Sequence, residues 1–61
     1  MTHYIVFGTA GQFTVHSDTW VHAVQSAIAV TESTACDWTA HKLSDYNPKL
    51  RARLIRESVA L

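Results

Sequence analysis

Four histidines and one cysteine of this 61-residue chain have side chains that could bind a metal ion such as zinc. They are His3, His16, His22, Cys36 and His41. A structural zinc site needs four Cys or His ligands at characteristic short spacings, and no such set is present in the sequence. We therefore expect scattered histidines, with no metal site and no cofactor.

Cys36, Asp37 and His41 are the residue types of a thiol nucleophile with its base and orienting acid. That role requires a spatial arrangement, which a separation of five positions along the sequence does not establish. A domain this small also has little interior from which to form a substrate pocket. The sequence therefore predicts a protein that is not an enzyme.

Gly8 and Gly11 bracket a short loop of the residue types that cradle phosphate in some proteins. Phosphate loops lead into the N-terminus of a helix, because the free N–H groups of the first helical turn bind the anion. Here the loop leads into residues 12–16, which alternate between polar and apolar as a strand does. The glycines therefore indicate a β-hairpin turn.

The positive charge is confined to one end of a chain whose net charge is zero. All cations lie in the last twenty residues, as Lys42, Lys49, Arg51, Arg53 and Arg56. At spacings of four and three, Lys49, Arg53 and Arg56 fall on one side of a helix, and we call these three residues the basic stripe. The stripe is either a solvated helix face or a binding surface.

A protein partner with an acidic surface fits this stripe better than nucleic acid does. Dedicated nucleic-acid binders are commonly basic overall, whereas this chain is neutral. Trp38 and Tyr46 supply aromatic side chains of the kind that, with Arg, dominate interface energies. We expect a non-enzymatic protein-binding module that uses both aromatics and the stripe. The alternative is a nucleic-acid-binding regulatory protein that uses the same helix.

Small size without a catalytic motif is typical of accessory proteins that phages and mobile elements encode to bind and modulate a host protein. This interpretation rests on the small size and the lack of a catalytic motif, not on any particular residue. No apolar run reaches 18 residues, and no basic region precedes an apolar one at the N-terminus. We expect no membrane span and a cytoplasmic location, in the host cytoplasm if a phage encodes the protein.

The longest periodic segment predicts a helix over residues 18–32, with Ser17 or Asp18 as its N-cap. The run of hydroxyl side chains from Thr31 to Thr34 favours its end. Its predicted buried face consists of Trp20, Val21, Ala23, Val24, Ala27, Ile28 and Val30.

Two strands flank the glycine loop. A three-residue loop, 9–11, would place Ile5 and Phe7 on the face of Phe13 and Val15. A two-residue loop would place Tyr4 and Val6 there instead, because a one-residue slip reverses every side chain. The three-residue loop is the preferred register, with the first strand central and the second at the edge.

Residues 38–43 predict a third strand beside the first and antiparallel to it, or else a short helical turn. Asn47 then caps a second helix that begins with Pro48. The apolar positions of this helix are Leu50, Ala52, Leu54, Ile55, Val59 and Leu61.

These elements predict one small α+β domain of two layers, ββαβα, with an antiparallel hairpin, a third strand and both helices on one sheet face. In the preferred register the other face carries Tyr4, Val6, Thr14 and His16, with no element left to cover it. A domain of this size buries only about 60% of the surface that its unfolded chain exposes, so its single core gives marginal stability. We therefore expect this face, or the free edge of the second strand, to mediate homodimerisation.

Overall fold

The computed structural model describes residues 1–32 and 37–61. Its elements are β1 (Thr2–Gly8), β2 (Gly11–Ser17), α1 (Trp20–Thr31), β3 (Thr39–Lys42), a 3₁₀ turn (Leu43–Asp45), α2 (Pro48–Glu57) and β4 (Val59–Ala60). The predicted small α+β domain is confirmed. Neither helix within the described ranges has the length and hydrophobicity that a bilayer crossing requires.

The four strands form one mixed sheet in the order β3-β1-β2-β4. β1 is central and β3 pairs antiparallel with it, as predicted. The prediction that β2 is an edge strand is wrong, because Val59 and Ala60 pair in parallel with Phe13 and Thr14. The first half of β2 therefore has no free edge for self-association.

The hairpin adopts the register of the two-residue loop. Gly8 pairs with Gly11, and Val6 pairs with Phe13. Gly11 belongs to β2 and has a φ of +142°, a backbone conformation that residues other than glycine rarely adopt. The turn is also joined to the segment before β3, because the Thr9 backbone N–H donates to Asp37 Oδ2 at 2.8 Å. The preferred three-residue loop is therefore wrong, and the faces of β1 are exchanged relative to that prediction.

The main core lies between α1 and one sheet face. Its buried cluster is Tyr4, Val6, Phe13, Val15, Ala23 and Ala27. Both alanines are fully buried, which lets α1 lie close to the sheet. The predicted buried face of α1 is too wide, since Trp20, Val21 and Val30 are exposed on either side of this narrow contact.

α1 begins two residues later than predicted. Thr19 is the N-cap, and its Oγ1 accepts from the backbone N–H of His22 at 3.2 Å. Ser17 cannot take this role because it pairs with Thr2 at the end of β2 and is buried. Glu32, in the left-handed conformation at φ 54°, ends the helix where the hydroxyl run predicted.

α2 lies on the sheet face opposite α1, so the prediction of both helices on one face is wrong. The Gln12 side chain, which alternation places away from Phe13, bonds to Leu54 and Ser58 at the end of α2. The connection through α1 runs across the sheet from β2 to β3, and the connection through α2 runs back from β3 to β4. Because crossovers are almost always right-handed, two that run in opposite directions place their helices on opposite faces.

The start of α2 is as predicted. Asn47 is the N-cap, and its Oδ1 accepts from the backbone N–H of Leu50 at 2.8 Å, with Pro48 in the first turn. The end comes earlier, because Ser58 caps the helix and Val59 enters β4. Val59 and Leu61 are therefore not part of the apolar side of α2.

Candidate functional site

The outward side of α2 carries the basic stripe. Lys49, Arg53 and Arg56 are all exposed. Beside them Leu50, 39% exposed, lines a shallow groove of about 300 Å³ together with Asn47, Lys49 and Arg53. Spacing along the helix grouped the three cations but assigned Leu50 to the apolar side opposite them, so its place in this groove was not predicted. The groove offers a partner one apolar contact flanked by two cations.

The one carboxylate of α2 lies beside the stripe. Glu57 Oε1 accepts from Arg53 Nε at 3.0 Å, and the two side chains are 50% and 65% exposed. Pairs this exposed contribute little stability, because water screens the charges and both side chains lose rotamer freedom. A partner carboxylate can therefore replace Glu57 at small cost.

The position of Lys49 is not explained by the stability of α2. Arg56 lies in the last turn, where positive charge complements the helix dipole. Lys49 lies in the first turn, where the dipole disfavours a cation, and no acidic residue occupies that turn. Lys49 is therefore placed against the local electrostatics of its helix.

The two sides of the sheet differ in charge. α1 is flanked by Asp18 and Glu32, and no lysine or arginine occurs before Lys42. α2 contains four cations and one acid, Glu57. Because the helices lie on opposite faces, the charge split in the sequence becomes a charge split across the molecule.

The two aromatic residues assigned to the partner surface lie apart from each other. Trp38 packs against the core on the α1 side, with its ring centroid 6.1 Å from that of Phe13. Tyr46 lies just before α2, and its backbone oxygen accepts from Arg51 Nη2 at 3.1 Å. Tyr46 thus bonds to Arg51 and not to the stripe, and Trp38 is separated from α2 by the sheet.

The residues assigned to self-association do not form one surface. Tyr4 and Val6 are buried in the core on the α1 side, because the register differs from the preferred one. Thr14 and His16 point to the opposite face. That assignment is therefore wrong. Homodimerisation itself stays a prediction, which a monomer mass from light scattering at micromolar concentration would contradict.

Two of the four histidines lie together, but the four do not converge on one site. His3 and His16 stack across β1 and β2, with ring centroids 4.2 Å apart and an interplanar angle of 10°. His22 is exposed on α1. Within the ranges that the structure describes, no three His, Cys, Asp or Glu side chains could jointly hold a metal ion. Cys36, the candidate nucleophile, lies outside the described residues.

A second concave site lies on the inner side of α2, and the sequence did not predict it. This cavity has a volume of about 380 Å³ between α2, the 3₁₀ turn and the sheet face opposite α1. Its walls include His3, Thr14, Leu43, Ser44, Arg51 and Ile55. These residues come from four elements, so no local pattern could have grouped them.

Comparisons of the chain with models of protein families, with curated proteins and with solved structures found no match.

Proposed function

We propose that this protein is a non-enzymatic binding module whose α2 docks on a protein partner with an acidic surface. The observation that carries the proposal is Lys49 in the first turn of α2. Helix stability favours an acid there, so the cation at this position is better explained by an interaction outside the chain.

The composition of the outward surface supports a protein partner. Leu50 supplies the apolar area of the groove, which Lys49 and Arg53 also line. Interfaces commonly combine a buried apolar centre with a charged rim. Charge complementarity then sets the orientation and the rate of association more than the affinity. Modulation of a host protein by a phage or mobile-element product is one setting in which such a module would act.

Affinity capture from a host lysate with R53E/R56E tests the proposal. Reversing two charges at the rim should abolish capture of the partner while the domain stays folded, because like charges would then face each other. The matched control is K42E, which reverses a cation on β3, outside α2. Capture that R53E/R56E leaves unchanged, or that K42E reduces equally, would contradict the proposal.

A nucleic-acid partner is the competing outcome, and the same stripe would then contact phosphates. Binding of nucleic acid falls steeply with salt, because each phosphate contact releases counterions. A mobility-shift titration with mixed DNA and RNA at low and moderate salt separates the two. We expect no shift at moderate salt, and a salt-sensitive shift that R53E/R56E removes would contradict a protein partner.

A further inference from the structure

We propose that the cavity on the inner side of α2 binds a small organic monocarboxylate, with its apolar part on Leu43 and Ile55 and its carboxylate at Arg51. This site is separate from the outward surface of α2. It uses residues that the basic stripe does not include.

The size and walls of the cavity fit a small organic ligand. Its volume of about 380 Å³ lies within the range of ligand sites, which begins at about 300 Å³. Leu43 is buried and Ile55 is 49% exposed, and both line the cavity with apolar side chains. Apolar area left open beside a folded core is the surface that a ligand's hydrocarbon part would remove from water.

The charge at the cavity fits an anion. Arg51 is half-buried, and its Nη2 donates to the Tyr46 backbone oxygen, which fixes the guanidinium. Arg51 Nε is buried with no acceptor among the described residues, and no acidic side chain in those ranges pairs with Arg51. A partly buried guanidinium without a counter-ion is unfavourable, and a carboxylate placed beside it would supply the missing charge.

The polar residues that line the cavity fit a ligand that accepts hydrogen bonds. His3 and Ser44 line the cavity, and both residue types can donate a hydrogen bond to a carboxylate oxygen. No aspartate or glutamate is among the lining residues. A cationic or metal ligand would find no carboxylate in this site, so the observations favour an anion.

The test is an NMR titration of the ¹⁵N-labelled full chain with 4-phenylbutyrate and with its neutral isostere, 4-phenylbutanamide. The acid should give saturable amide shifts confined to the cavity, at residues such as His3, Thr14 and Ser44. The amide should bind at least about tenfold more weakly, because a hydrogen bond to a charged group contributes more than a neutral one. Because this comparison uses only the wild-type protein, its result does not depend on whether a substituted protein folds.

Two variants locate the charge. R51M keeps an unbranched apolar stem in the cavity wall and should lower affinity for the acid about tenfold or more, without lowering affinity for the amide. R53M removes a cation from the outward side of α2 and should leave acid binding unchanged. The pair also separates this inference from the proposed function, which depends on Arg53 and not on the cavity.

Three results would overturn the inference. They are the absence of saturable shifts with 4-phenylbutyrate, equal binding of acid and amide, and an R51M protein that binds the acid as tightly as wild type. Saturable binding of a capped acidic peptide without binding of 4-phenylbutyrate would also overturn it, because the occupant would then be a protein segment.

Discussion

The side-chain amide of Gln12 donates to the hydroxyl of Ser58 at 2.7 Å, and so joins β2 to the end of α2 across 46 residues of chain. The Ser58 hydroxyl in turn donates to the Leu54 backbone oxygen at 2.6 Å. This connection lies on the face opposite α1 and helps to hold the end of α2 there. Both candidate sites depend on it, because the inner side of α2 forms the cavity wall and the outer side carries the stripe.

Replacing Gln12 by Ala should lower the free energy of unfolding by about 1 kcal/mol, the usual contribution of a part-buried hydrogen bond. Urea unfolding measures the change. Q25A removes an exposed glutamine of α1 and serves as the control, with no comparable loss expected. A Q12A protein as stable as wild type would show that this bond does not hold α2 in place.

Replacing Gly8 by Ala should destabilise the protein because Trp38 already occupies the space. A Cβ at Gly8 would lie 2.6 Å from Cε3 of the indole, so the ring would have to move. Overpacking of this kind costs about 1–3 kcal/mol. In a W38L background the same substitution should cost less, since the two positions are coupled. Denaturant unfolding measures the loss of stability in each background. An equal loss in both would mean that contact with Trp38 is not what destabilises the Gly8→Ala protein.

Replacing Asn47 by Ala should cost about 1 kcal/mol, because the Leu50 backbone N–H loses its acceptor at the start of α2. N47S keeps a side-chain oxygen at the N-cap and should recover most of the loss. Thermal unfolding compares the three proteins. If N47S is as unstable as N47A, the loss of the N-cap hydrogen bond does not explain the destabilisation.

Replacing Glu57 by Gln should change stability by less than about 0.5 kcal/mol, because its pair with Arg53 is exposed. The same change should strengthen partner capture, since it removes the only carboxylate of α2 and leaves Arg53 free. Capture and urea unfolding are measured on one preparation. Weaker capture by E57Q would mean that the partner contacts Glu57 itself, and would argue against an acidic surface.

Local signals predicted most of the elements. Asn47 and Pro48 specify the start of α2 through backbone chemistry that needs no tertiary context. The hairpin register was harder, because two loop lengths that differ by one residue exchange the faces of β1, and the aromatic and β-branched residues of Tyr4–Phe7 are apolar on both.

The face of α2 could not be predicted because it depends on β4, which is only two residues long. Val59 also fits the apolar period of α2, so the pattern favoured a longer helix. Once Val59 pairs beside Phe13, the rule of right-handed crossovers determines the rest. The stripe was predictable from spacing along one helix. The cavity was not, because residues as far apart in sequence as His3 and Ile55 come to line one space only in the folded chain.

The central claim is that α1 and α2 cover opposite faces of the sheet, and proton–proton NOEs between methyl groups test it most directly. We expect NOEs from Val6 and Val15 to Ala23 or Ala27. On the other face, NOEs should join Thr14 to Ile55, which line the same cavity. NOEs from Val6 or Val15 to Ile55, with none from Thr14, would contradict the claim.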